Sequence, residues 1–132
     1  MVWDDLTYAP EAWLPDGTTR PTPDTVRVNT DLLRTYKQLI HLRRAHPALS
    51  LGDFQTLLPD DERQIYIFKR TFAEQTLIVA LNNTRQAQQV ELELPGAGRV
   101  KDLLNAGAEY AVQAGEVTLQ LLPLWGAVVE TV

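Results

Sequence analysis

The sequence contains no cysteine, which excludes disulfide bonds, thiolate metal ligands and cysteine nucleophiles. Serine occurs at Ser50 alone, outside any nucleophile-elbow motif, and this argues against a serine hydrolase triad. The glycines form no phosphate-cradling loop. The sequence therefore predicts neither a serine or cysteine nucleophile nor a bound cofactor.

Basic runs and long apolar runs are also missing. The 12 lysines and arginines are outnumbered by 17 aspartates and glutamates, so the net charge is -5 and no basic surface is expected for nucleic-acid phosphates. The same balance disfavours anionic membrane surfaces. No apolar run approaches the roughly 18 residues of a spanning helix, and no signal peptide opens the chain. We expect no nucleic-acid or membrane partner and favour a cytoplasmic location.

Paired acids and histidines give no clear metal or acid–base site. The aspartates at 60 and 61 fall in a turn, where aspartate favours the local backbone geometry. The aspartates at 4 and 5 fall in the N-terminal loop and are interpreted as solvated charges. His41 and His46 are five residues apart and would diverge on a helix, so they cannot share a metal as an i, i+4 pair would.

One stretch, LLRTYKQLIHLRRAHPAL at residues 32–49, has the periodicity of an amphipathic helix. Asn29, Thr30 or Asp31 can accept hydrogen bonds from the free amides of its first turn, and Pro47 ends it. At 100° per residue, the apolar side chains fall in a stripe roughly 120° wide. The stripe consists of Leu32, Leu33, Tyr36, Leu39 and Ile40.

Arg43 projects from the middle of this apolar stripe, where a charge is unexpected. Its aliphatic stem could lie over a core while the guanidinium reaches water. Alternatively, the guanidinium donates a charge-assisted hydrogen bond to a carboxylate or carbonyl of a neighbouring layer. We favour the second arrangement, which would make Arg43 a structural contact.

From Gly52 onward the hydrophobic period changes from 3.6 to 2. The segment QTLIVAL is apolar on both faces, and QVELEL places Val90, Leu92 and Leu94 on one face. Six more strand-like segments are DFQTLL, QIYIFKR, RVKDLL, EYAV, VTLQLL and GAVVETV. The pattern predicts a mainly β fold, an eight-stranded antiparallel β-sandwich of Greek-key type, preceded by an irregular loop over residues 1–29 and one amphipathic α-helix.

A helix that packs alone on the end of a sandwich buries only a narrow face. This is less apolar surface than the stripe of the predicted helix has to remove from water. The proline-rich N-terminal loop also carries Trp3, Tyr8 and Trp13, which need something to pack against. We infer that residues 1 to about 46 belong to a larger layer.

Several segments together resemble one family. MVW, the helix, the following GDF, LIVALNN, KDLL with EY, and LQLLPLWGAVV are similar in order and spacing to the C-terminal end of an α-amylase-family enzyme, glycoside hydrolase family 13. The resemblance covers nearly the whole chain and is greatest for the α-glucosidase, cyclomaltodextrinase and neopullulanase branch. NAGAEY departs from the tighter threonine–glycine turn common at that place.

The resemblance implies a division of the chain. In that family a (β/α)₈ barrel carries catalysis, and an antiparallel C-terminal domain follows the eighth barrel helix. By resemblance, residues 1–49 are a barrel remnant that includes the eighth helix at 32–45. Residues 50–132 are then the C-terminal all-β domain.

The resemblance also implies a non-catalytic function. A retaining α-glucosidic hydrolase needs two carboxylates, and the family carries them on barrel strands upstream of Met1. We therefore expect the chain to be inactive alone and to stabilise and cover the barrel of a parent enzyme, through which it meets an α-glucan substrate. The aspartates at 4 and 5 could then lie at the rim of the substrate cleft. The predicted interface residues are Leu32, Tyr36, Leu39, Ile40 and Arg43. Without the barrel, this stripe is an exposed apolar patch that favours self-association or redocking on the sandwich.

An autonomous starch- or maltooligosaccharide-binding module is the main alternative, with Tyr66, Tyr110 and Trp125 as possible sugar contacts. Such a module would present two exposed coplanar aromatic rings. Tyr66 shares its strand face with Phe68, and we expect both to pack on a core or on the helix. Trp125 is expected to be more exposed, but a single tryptophan makes no platform. A stand-alone subunit or regulator is a third possibility, if Met1 is a natural start.

Overall fold

A computed structural model describes residues 29–131, which form two helices followed by eight strands. The helices are α1 (Thr30–Ala45) and α2 (Pro47–Leu51). The strands are β1 (Asp53–Asp60), β2 (Ile65–Phe72), β3 (Gln75–Asn82), β4 (Gln88–Glu93), β5 (Arg99–Asp102), β6 (Glu109–Ala111), β7 (Glu116–Leu121) and β8 (Trp125–Thr131). The predicted N-terminal loop, with its tryptophans and its acidic pair, lies outside the described residues, apart from residue 29.

Helix α1 begins at the cap that Asn29 provides. The amide of Leu32 donates to Asn29 Oδ1 over 2.9 Å, so Asn29, among the three predicted candidates, accepts from the first turn. The helix ends before His46, whose φ of −119° and ψ of 99° are extended. Pro47 then opens α2 at the first helical position, where its missing N–H leaves no bond unmade. The predicted single helix is therefore followed by a second short one.

The strands form an antiparallel sandwich of two unequal sheets. The larger sheet has the order β1-β2-β3-β8-β5-β6, and the smaller pairs β4 with β7. Every pairing is antiparallel, and the chain passes between the sheets at β3–β4, β4–β5, β6–β7 and β7–β8. This confirms the predicted mainly β sandwich with eight strands.

The main core lies between the two sheets and follows the predicted alternation. Val90 and Leu92 of β4 are buried, while the glutamates at 91 and 93 are exposed. Facing residues of the larger sheet complete the core, among them Ile65, Ile67, Ile78, Ala80 and Val129.

Strand β3 is buried on its inner face and around Leu77 on its outer face, whereas Leu81 on the outer face is 43% exposed. The burial on both faces that its continuous apolar sequence predicts therefore holds for part of the strand. Ile78 points into the main core, and Leu77 points to the outer face of the larger sheet. There Leu77 joins a second cluster with Ala48 of α2 and Val128 of β8. The outer face is therefore partly covered by α2.

Strand β5 is shorter than the predicted RVKDLL segment because Asp102 ends it. The Oδ1 atom of Asp102 accepts from the amides of Leu104 at 2.9 Å and Asn105 at 3.1 Å. These side-chain bonds turn the backbone away from the sheet ladder.

Neither helix of residues 29–131 has the length and apolarity to cross a membrane.

Candidate functional site

The apolar stripe of α1 is largely exposed on the described part of the chain. Leu32, Tyr36, Leu39 and Ile40 expose 53%, 52%, 41% and 53% of their surface. Four large apolar side chains on one helix face exceed the scattered single exposures that are normal on protein surfaces. Four of the five predicted interface residues are thus accessible on α1.

A different face of α1 packs on the sheet. Leu42 joins the outer cluster around Leu77, and Gln38, one turn earlier, donates to the carbonyl of Leu104 over 2.8 Å. Residues four apart share a helix face, so this contact leaves the stripe free for another surface.

Arg43, the fifth predicted interface residue, is exposed. Its backbone carbonyl accepts from Ser50 Oγ at 3.0 Å. The structure records no hydrogen bond from its guanidinium to another of residues 29–131, and the predicted charge-assisted bond stays a prediction.

A groove of about 470 Å³ opens beside Leu39, and its lining includes one predicted interface residue and two predicted sugar contacts. Leu39 of the stripe lines it together with Tyr66 and Trp125, two of the three possible sugar contacts. Leu81 and Leu124, which expose 43% and 58% of their surface, complete its apolar lining. We call this site the Leu39–Trp125 groove.

Most polar groups in the wall of the groove already have partners within the domain. Trp125 is half-buried rather than exposed as predicted, and its indole Nε1 donates to Asn105 Oδ1 over 2.8 Å. The hydroxyls of Tyr66 and Thr56 share a hydrogen bond of 2.9 Å. The Asn82 side chain donates to two backbone carbonyls and accepts from a backbone amide. The groove therefore presents a mainly apolar surface, to which Gln64 and Asn83 also contribute polar side chains.

Sequence reasoning missed the network that fixes Trp125. The Asn105 amide donates to Asp102 Oδ2 at 2.7 Å and to the carbonyl of Gly126 at 3.0 Å. Asp102 is 1% exposed, and its other oxygen accepts from backbone amides. The spacing of an aspartate three residues before an asparagine, followed by Gly107, is a turn signal that could have indicated it.

Tyr110, the third possible sugar contact, lies elsewhere. It pairs with Val100 in the larger sheet and packs against the main core. Burial raises the pKa of its hydroxyl, and the negative charge of Asp102 raises that pKa further. Tyr110 therefore does not contribute to the groove.

Three aromatic rings form a row on the outer face of β1 and β2. Phe54 and Phe68 stack with centroids 4.9 Å apart and planes inclined at 28°. Tyr66 and Phe68 are 5.7 Å apart and inclined at 37°. Phe54 and Tyr66 expose 56% and 36% of their surface, so Tyr66 lies outside the core in which it was expected to pack. The rings are inclined to one another, and the sugar-binding alternative stays a prediction.

The predicted turn at residues 60 and 61 is held by local bonds. Asp60 accepts from the backbone amide of Arg63 at 2.9 Å and from its Nε at 2.6 Å. These bonds lower the pKa of Asp60.

Within residues 29–131, no three His, Asp or Glu side chains are close enough to hold a metal ion together.

Comparison with known proteins gives a family match over most of the sandwich. The family described as "Alpha-amylase C-terminal domain" matches residues 52–121. This segment begins before β1 and ends with β7.

Two curated relatives are similar over three quarters of the chain. A protein named "Cyclomaltodextrinase" from Geobacillus thermopakistaniensis (strain MAS1) is 29% identical over 100 residues, which are 76% of this chain and 17% of the relative. "Neopullulanase 2" from Thermoactinomyces vulgaris is 33% identical over 102 residues, again 76% of this chain and 17% of the relative. The matched part of the chain thus spans 17% of the length of each relative.

A solved structure has the same fold. The α-amylase of Anoxybacillus superposes with a TM-score of 0.71 and 29% sequence identity, over 81% of this chain and 24% of that one. The solved structure therefore agrees with the family match in relating this chain to α-amylases.

Proposed function

Because the chain belongs to the alpha-amylase C-terminal domain family, we propose that it is the non-catalytic C-terminal domain of an α-glucan-hydrolysing glycosidase and covers its catalytic barrel. The parent would cleave α-glucosidic bonds with retention, and residues 1–49 would belong to the barrel. The matched relatives extend far beyond the segment they share with this chain, and this supports a larger parent.

One observation carries the covering role. The exposed stripe of α1 and the Leu39–Trp125 groove meet at Leu39, which belongs to both. Burying each leucine-sized side chain stabilises a folded protein by roughly 1.5–3 kcal/mol, a substantial part of the net stability of a domain. A layer that covers stripe and groove would therefore be held firmly, and that layer would be the catalytic barrel.

The covering role is tested by matched substitutions in the full-length parent enzyme. Ile40→Asp places a carboxylate in the stripe, and His41→Asp places one at the next, exposed position. We expect Ile40→Asp to lower the Tm of the enzyme by several degrees, because it leaves a charge in an apolar contact. His41→Asp should leave the Tm nearly unchanged. Equal shifts for the two variants would contradict the proposal.

A starch- or maltooligosaccharide-binding function is the second candidate, since Tyr66 and Trp125 share the groove. An NMR titration of this chain with maltoheptaose up to several millimolar distinguishes sugar binding from the covering role. Amide shifts clustered around Tyr66 and Trp125 would support the sugar-binding module. An unchanged spectrum is the result expected for a docking surface.

A further inference from the structure

We infer that the Leu39–Trp125 groove is a preformed socket for an apolar side chain of the layer that covers it, and that Asn105 is the residue that positions its Trp125 wall. The inference rests on the proposed function and specifies the chemistry of the partner. The occupant is an aliphatic or aromatic side chain of the catalytic layer, and not a sugar.

The chemistry of the groove selects the occupant. A sugar ring brings hydroxyl groups that lose water on entry and need new hydrogen-bond partners. The surface of the groove is mostly apolar, and the indole of Trp125 and the amide of Asn82 are already hydrogen-bonded within the domain. The polar side chains of Gln64 and Asn83 and the Tyr66 hydroxyl, which shares one bond with Thr56, are too few to satisfy the many hydroxyls of a sugar chain. An apolar side chain needs no such partners and gains contact with Leu81 and Leu124, which are exposed.

Asn105 fixes the shape of the socket. Its amide group joins the indole of Trp125 to the buried carboxylate of Asp102 and to the carbonyl of Gly126. A side chain bonded through both ends of its amide cannot rotate without losing these bonds. Trp125 is thereby held in place before anything docks, which reduces the entropy lost on docking.

The floor of the socket is tightly built at Gly126. A Cβ atom added there would lie 2.8 Å from the carbonyl oxygen of Ala80 and 3.0 Å from Leu81 Cδ2. Glycine therefore allows β8 to approach β3 under the groove, and a larger residue would displace the Leu81 side chain that lines it.

The position of the groove identifies the source of the occupant. Leu39 lines the groove and the adjacent Ile40 is exposed, so a surface that packs on these two residues also reaches the groove. The curated relatives have most of their length outside the matched segment, which supplies such a surface in a parent chain.

The first test measures binding of the fluorescent probe 8-anilinonaphthalene-1-sulfonate, which reports accessible apolar sites, to this chain. Leu81→Asp introduces a charge in the groove, and Leu122→Asp introduces one at an exposed leucine outside it. We expect Leu81→Asp to weaken probe binding about tenfold or more, as the loss of one buried leucine-sized contact implies. Leu122→Asp should leave the affinity unchanged, and millimolar maltoheptaose should not displace the probe. Equal losses, absence of binding or displacement by the sugar would each overturn the inference.

The second test follows the indole N–H signal of Trp125 in ¹⁵N–¹H spectra, assigned by its loss in Trp125→Phe. Asn105→Ala should move this signal upfield and weaken probe binding, while the amide signals of β4 and β7 stay in place. An unmoved indole signal would show that Asn105 does not position Trp125.

The two proposals fail separately. Probe binding at the groove together with a harmless Ile40→Asp in the full-length enzyme would overturn the covering role, and with it the catalytic layer as the occupant, although the groove would remain an accessible apolar site. A destabilising Ile40→Asp without probe binding would support the covering role and overturn the socket.

Discussion

The indole Nε1 of Trp125 lies 2.8 Å from Asn105 Oδ1, and the Nδ2 of the same amide lies 2.7 Å from Asp102 Oδ2. This chain of bonds connects the wall of the candidate docking groove to a carboxylate that is 1% exposed. Buried polar groups of this kind stabilise a fold only when all of them are satisfied. Removing one member therefore affects the others.

We predict that Asp102→Ala destabilises the domain by about 3 kcal/mol or more, because it leaves the buried amide of Leu104 and its neighbours without an acceptor. Urea unfolding at neutral pH measures the loss. Asp53→Ala, at an exposed aspartate, is the control and should shift the midpoint little. Equal midpoints for both variants would show that the network does not contribute.

Gly126→Ala is predicted to destabilise the domain by about 1–3 kcal/mol, because the added methyl group overlaps the carbonyl of Ala80. Gly98→Ala is the matched control, since a Cβ atom at Gly98 meets nothing within 4 Å. Thermal unfolding of the two variants gives the comparison. A Tm for Gly126→Ala equal to that of Gly98→Ala would mean that the backbone adjusts without strain.

The raised pKa of Tyr110 predicts that the domain loses stability at high pH. Its pKa is raised above the ordinary value of 10.0 by burial and by the charge of Asp102, so folding favours the neutral phenol. This contribution is fully present below the unfolded pKa and is lost as the pH rises through the higher folded pKa. Urea unfolding at about pH 8 and about pH 11 should show a larger decrease for the wild type than for Tyr110→Phe. The same decrease in both would exclude Tyr110 as its source.

The exposed stripe predicts self-association of this chain in the absence of a covering layer. Apolar surface that remains in water favours contact between copies. Sedimentation velocity should show a larger average mass as the concentration increases, and Ile40→Asp should shift the distribution toward monomer. A wild-type chain that stays monomeric at millimolar concentration would contradict the prediction.

Much of the sandwich is predictable from local pattern. The alternation around Val90 and Leu92 gives the buried face of β4, and the continuous apolar run around Ile78 gives a strand that is buried on both sides at Leu77 and Ile78. Both patterns depend on near neighbours in sequence, which is why periodicity detects them. The sequence also placed the start of α1 at three candidate caps, and the structure identifies Asn29 among them.

The site was less predictable because its contacts are distant in sequence. Asn105 and Trp125 are twenty residues apart, and their bond depends on how β8 enters the larger sheet. The pattern correctly grouped Leu39 and Ile40 on one face of α1. It did not show that Leu42, on a neighbouring face, makes the contact with the sheet. Tertiary packing decides which face of a helix is covered.

Strand β8 lies in the middle of the larger sheet, between β3 and β5, although it is the last of the eight strands to be synthesised. Without the pairing of Trp125–Thr131, β1–β3 and β5–β6 are not joined in one sheet, and β3 and β5 each have an open edge. Open strand edges are sites of mispairing and aggregation. A chain truncated before position 125 would therefore lack the strand that joins the two halves of the larger sheet and would expose both edges to mispairing.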